Sequence, residues 1–165
     1  MCINMNSVNK YLLMKPSTRG IIEWFLLFFI GGCGYFFSTL ILPLNLYFLT
    51  LGIVLLILGS IIHRLSHKEH KQAHSKAESI EKIVTTGIYS KYSKIRHPGY
   101  LGLILMYLGV AFLFHNILAI VGSIIFSFLQ ILTALAEEKY LIKKLREEYE
   151  EYMRRVSWRF IPKVF

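Results

Sequence analysis

Four apolar runs separated by polar stretches set out the chain. Ile21–Leu42 is 22 residues with one charge, Glu23. Leu44–Ile62, Gly99–Phe114 and Ile117–Ala136 are 19, 16 and 20 residues with none. A helix needs about 20 apolar residues to cross a bilayer core, and backbone at that depth must satisfy its own hydrogen bonds. The pattern predicts an all-α polytopic membrane protein. Four transmembrane helices form two hairpins, the third helix short or tilted. One integral membrane domain covers 1–165, with the first hairpin at 20–62 and a connection at 63–98. The first run starts too late and is too long for a signal peptide, and it ends in no small-residue cleavage pattern.

The polar stretches add further expectations. In the tail, apolar or Tyr residues at 141, 145, 149 and 152 or 156 predict an amphipathic helix along the membrane surface. Trp158 and Phe160 suit an interfacial anchor there, and Pro162 stops the element. His63, His67, His70 and His74 share one helical stripe, in a helix extending the second span. Such a stripe can bind metal, but no acid or Cys completes a ligand set, so no metal is assigned. "GGCGY" (Gly31–Tyr35) offers small residues for close helix packing.

The chain is 55% hydrophobic, too apolar for an ordinary soluble domain, and carries a net charge of +9. All 19 basic residues avoid the turns at Pro43–Asn45 and His115–Asn116. The positive-inside rule therefore places both termini and the central connection in the cytoplasm. Flanking membrane helices, these charges suit anionic headgroups of the lipid bilayer and not nucleic acid. Cys2 and Cys33 lie at different depths and form neither a disulfide nor a metal spacing.

Candidate chemistry gathers at "RHPGYLG" (Arg96–Gly102). Pro98 opens the third helix, where a missing N–H costs nothing. The positive helix end, Arg96 and His97 form an anion-binding edge, with Tyr100 as an aromatic wall. Gly99 and Gly102 leave the first turn bare for close approach of a ligand. Glu137-Glu138, directly after the fourth run, would end that helix against its dipole and supply an acidic edge at the same boundary. The two edges together suit a zwitterion.

With "IVTTGIY" (Ile83–Tyr89), the Glu137-Glu138 pair and "EEYEEYMRRV" running to "FIP" (Phe160–Pro162), this stretch resembles the isoprenylcysteine carboxyl methyltransferase family. The resemblance covers 83–162, about half the chain. Here Ile88 stands where the family usually has Pro, the spacer before Arg96 is about three residues longer, and Leu145-Arg146 replaces the usual Phe-Gly. The resemblance implies a small membrane-helix bundle whose C-terminal part closes over S-adenosylmethionine. It places Tyr89, Arg96, His97, Pro98, Tyr100, Gly102, Glu137 and Glu138 at that cofactor. The implied activity is methyl transfer to a lipophilic small-molecule or lipidated acceptor at the cytoplasmic membrane face. An amine or thiol acceptor would want a base, Glu138 or His97. A cation beside a carboxylate acceptor would orient it, with Lys143, Lys144 or Arg146 as candidates. Three alternatives stand beside this reading. An NADPH-dependent sterol-type reductase uses a similar RHPxYxG but typically has an acid where Leu103 stands. The others are a phospholipid N-methyltransferase and a non-enzymatic membrane subunit.

Overall fold

A computed structural model describes residues 11, 14, 16–37, 41–74, 87–89 and 94–164. Most of "IVTTGIY", the spacer before Arg96 and the side chains of His70 and His74 lie outside the described residues. Among the described residues five α-helices are delimited: α1 (Pro16–Cys33), α2 (Leu46–His74), α3 (Pro98–Phe114), α4 (Ile117–Leu145) and α5 (Glu147–Arg155). Single 3-10 turns occupy Gly34–Phe36 and Gly87–Tyr89. Apart from two isolated bridges, the described residues contain no β-pairing. The protein is an integral membrane protein: Thr18–Phe36, Leu46–Glu69 and Ile117–Leu145 are long and apolar enough to cross a bilayer, and α3 is shorter.

α2 and α3 form the tightest contact, an antiparallel pair. Gly59 faces Gly102, and a Cβ on Gly59 would lie 2.6 Å from the Gly102 carbonyl oxygen. One turn pair further on, Gly52 and Gly109 repeat the contact, with the Gly109 oxygen 3.0 Å from a Cβ on Gly52. The seven-residue spacing is the same on both helices, so bare backbones meet twice along one seam. Small residues permit such approach where lipid gives no hydrophobic drive for association.

The far end of the bundle is closed by Asn116. It caps α4 by accepting from the Ala119 N–H at 2.9 Å, and its Nδ2 donates to the Gly31 carbonyl at 2.9 Å. The expected packing role of "GGCGY" is met there, because Gly34 also lies against the Asn116 side chain. The Leu42 N–H donates to the His115 carbonyl at 2.8 Å, so the two inter-helix turns touch.

Three expectations are corrected. The first helix leaves α-geometry at Cys33 rather than running to Leu42, because the glycine cluster gives it little propensity to continue. The fourth helix does not stop at Ala136. It runs through Glu137 and Glu138 to Leu145, where Lys143 and Lys144 oppose the negative dipole end. "EEKYLIKKL" is made of strong helix formers and contains no breaker. The tail is also not one continuous helix. Arg146 has φ 46°, which breaks the helix and turns α5 back. The apolar stripe therefore closes on itself: Tyr149, Tyr152 and Val156 pack on Leu141, Ile142 and Leu145.

Candidate functional site

Glu138 is the hub of the site. One carboxylate oxygen accepts from Arg96 Nε at 2.8 Å and stands 3.0 Å from His97 Nε2. The other accepts from Arg159 Nε at 2.9 Å. An ionised carboxylate only accepts, so the His97 nitrogen that faces it carries the proton. Glu138 is 4% exposed, Arg96 8% and His97 6%. A carboxylate buried to that degree is tolerable only with such partners.

Local sequence puts these groups in place. Pro98 opens α3 and bars helix at the residue before it. His97 and Arg96 are thus left outside the helix, His97 with φ −119° and ψ 55°, and their backbone N–H groups are free to pair. They donate to the Arg159 carbonyl at 3.0 Å and the Trp158 carbonyl at 2.8 Å, and Ile95 bridges Trp158 in parallel. Arg96 Nη1 donates to the carbonyls of Val156 and Ser157 at 2.9 and 3.0 Å. Residues 156–160 are therefore a strap drawn across the start of α3 and pinned to α4. Phe160 is buried with its ring 5.7 Å from that of His97. It is a packing residue and not an interfacial anchor, and Pro162 lies beyond the end of α5 rather than stopping it.

Glu137, half-buried, belongs to a different neighbourhood from Glu138. Adjacent helix positions point about 100° apart. Tyr100 interacts with both Glu137 and Arg19, so Glu137 looks toward α1 and α3. Tyr89 is buried, and its hydroxyl pairs with Ser66 of α2. Burial above all, with Glu137 adding to it, pushes the Tyr89 phenol up to about 12.

That shift gives a pH prediction. A tyrosine whose folded pKa exceeds its unfolded value near 10 stabilises the fold below pH 10 and loses that contribution as pH rises toward 12. Thermal unfolding of detergent-purified protein should decline across this window. Tyr89→Phe should remove one proton's share of the slope, about 1.4 kcal/mol per pH unit. An unchanged slope would show that Tyr89 is not held protonated by the fold.

The structure brings together Arg96, His97, Pro98 and Glu138, with Tyr100 and Glu137 beside them and Tyr89 on the α2 side. Gly102 is not at this cluster. The bare first turn expected to admit a ligand is filled by α2: Gly99 lies against Ser66, and a Cβ on Gly102 would be 2.8 Å from the Gly59 oxygen. Lys144 is exposed, its Nζ 6.0 Å from the Tyr140 ring centroid, and is not brought to Glu138. Among the described residues no group of His, Cys, Asp and Glu could hold a metal. His63 instead faces the Gly99 carbonyl with Nδ1 at 3.3 Å.

A second polar centre escaped the sequence reading. Glu23, 1% exposed, accepts from Tyr107 Oη and Gln130 Nε2, each at 2.5 Å, and from the Tyr11 hydroxyl. Arg19, 2% exposed, stands with Nε 3.7 Å from Glu23. The available signals were a lone acid in an apolar run, a base one turn before it, and a lone amide in the fourth run.

The sequence profile of the family described as "Phospholipid methyltransferase" matches residues 47–148. The protein-S-isoprenylcysteine O-methyltransferase of Saccharomyces cerevisiae is 36% identical over 113 residues, which is 65% of this chain and 46% of that protein. The chain thus spans less than half the length of this relative. No solved structure matches the chain significantly.

Proposed function

The chain belongs to the phospholipid methyltransferase family, and from that premise we propose that it transfers a methyl group from S-adenosylmethionine to a lipophilic acceptor at the cytoplasmic membrane face. The favoured reaction is O-methylation of a carboxylate on a lipidated or isoprenylcysteine-type acceptor, after the yeast relative. The observation that carries this reading is the meeting of Arg96 and His97 with Glu138, 42 and 41 residues away in sequence, at one end of a membrane bundle.

The residues present fit the donor in kind. An amino-acid moiety, a ribose and a purine call for carboxylates, cations and aromatic walls. Glu137, Glu138, Arg96, His97, Tyr89 and Tyr100 provide that set. Arg96 and Glu138 now answer each other, so holding a ligand with this pair requires them to exchange partners. The donor supplies a methyl on a sulfonium, displaced in line to leave a neutral thioether. A carboxylate acceptor brings its own lone pair and has no proton to lose, so this chain needs no base for it. Its residues instead align the reactants and exclude water. The strap and the Tyr149–Tyr152–Val156 cluster suit that exclusion, because they cover the Glu138 end with apolar side chains. For an amine acceptor His97 would take the proton, because Arg96, His97 and Arg159 hold the Glu138 carboxylate ionised and leave it a weak base. That second reading is favoured by the description of the family itself.

Calorimetry with S-adenosylhomocysteine on detergent-purified protein tests the proposal. Binding is expected for the wild type, weakened roughly tenfold or more in Glu137→Gln, the range for losing a hydrogen bond to a charged group. NADPH should not bind. The reverse pattern would make the chain a reductase, and no binding of either would leave the non-enzymatic subunit. Labelled methyl transfer over prenylcysteine, lipid-amine and thiol acceptors then separates the two methyl-transfer readings.

A further inference from the structure

The Glu23 centre is costly where it lies. Arg19 and Glu23 sit on an otherwise apolar spanning helix, and ionisable groups inside a bundle mark function more often than packing. Glu23 is hydrogen-bonded without Arg19, its oxygens accepting from Tyr11, Tyr107 and Gln130, so Arg19 contributes charge to it and no hydrogen bond. The guanidinium Nε is buried and makes no hydrogen bond, its ion-pair contact with Glu23 being 3.7 Å long, and Gln130 Oε1 is likewise buried without a hydrogen bond. A spare guanidinium N–H in an apolar bundle is matched best by an anionic oxygen.

Its position also suits an acceptor. Arg19 interacts with Tyr100, which interacts with Glu137, so this centre adjoins the Glu138 end without being part of it. Gln130 lies two helical turns deeper on α4 than Glu137, about 10 Å by helical rise. A lipophilic molecule in the bundle would meet Arg19 with its polar end. The sequence offered Lys144 for the cation that orients an acceptor, and Lys144 is exposed and apart.

We propose that Arg19, on the helix that precedes the matched family region, binds the carboxylate of a lipophilic acceptor, with Glu23, Tyr107 and Gln130 as the scaffold that holds it. The inference rests on the carboxyl-transfer reading for its choice of anion, and its test needs no methyl donor.

Trp24, next to Glu23 and 4.9 Å from the Tyr107 ring, is a built-in fluorescent reporter. The experiment titrates full-length protein in nanodiscs with an N-acyl-S-prenylcysteine and, separately, its methyl ester. The wild type should bind the carboxylate roughly tenfold or more tightly than the ester. Arg19→Gln should bind both equally, Arg19→Lys should retain part of the preference, and ester affinity should stay the same in all three. Unaltered ester binding shows that the variants are folded. The proposal is overturned if the wild type shows no preference, if Arg19→Gln keeps it, or if ester binding falls in parallel with acid binding. A chain that shows the preference but binds no S-adenosylhomocysteine would defeat the methyltransferase reading and leave the carboxylate site standing.

Discussion

Glu138→Ala should release the C-terminal strap and lower stability by about 3–5 kcal/mol, the cost of breaking a buried ion pair by removing one partner. Arg96 and His97 would keep their burial and lose their acceptor, and Arg159 would lose its tie to α4. The variant should unfold at markedly lower temperature, and limited proteolysis should cut within 156–164 before the bundle opens. Glu138→Gln should cost less, because an amide oxygen still accepts from one guanidinium. Replacing the neighbouring Glu137 should leave the strap protected. Equal cleavage of the wild type and Glu138→Ala would mean that the strap is held by its backbone pairing alone.

The second large effect is expected at the α2–α3 seam. Gly59→Leu places a Cβ 2.6 Å from the Gly102 oxygen, a distance that side-chain rotation cannot relieve. The helices must part, at a cost of about 3 kcal/mol, the upper part of the usual range for overpacking. Parting them also moves Ser66 and His63 away from Tyr89 and Gly99, so ligand binding at the Glu138 end should fall with stability. Gly32→Ala is the matched control. Nothing lies within 4 Å of a Cβ there, and the exchange should be neutral or stabilising by roughly 0.5–1 kcal/mol. Equal thermal stability of the two variants would refute the bare-backbone seam.

Much of the site was legible because its residues sit beside strong local signals. Pro98 marks the start of α3, so Arg96 and His97 had to lie at its entrance. The end of the uncharged fourth run placed Glu137 and Glu138 at the same boundary. That Glu138 takes Arg96, His97 and Arg159 while Glu137 turns to Tyr100 was not legible. Neighbouring acids look alike in sequence, and only the rotation of α4 against α3 separates them. The packing of Gly102 against α2 was not legible for a similar reason. A bare turn admits either a ligand or another backbone, and the matching Gly52 and Gly59 take on meaning only once α2 and α3 are antiparallel.

By itself the sequence determined the class of protein, the number of apolar helices, the helix entrance at Pro98 and the helical extension through the His stripe. Each follows from local composition: a bilayer-length run without charge must be helix, and proline restricts its own neighbours. The tertiary structure decided the pairings. The tail breaks and folds back at Arg146, the strap crosses α3, and Glu23 finds Tyr107 and Gln130 from 84 and 107 residues away. Such contacts depend on how rigid helices rotate and approach, and the periodicity of any single segment carries no information about the partner it will face.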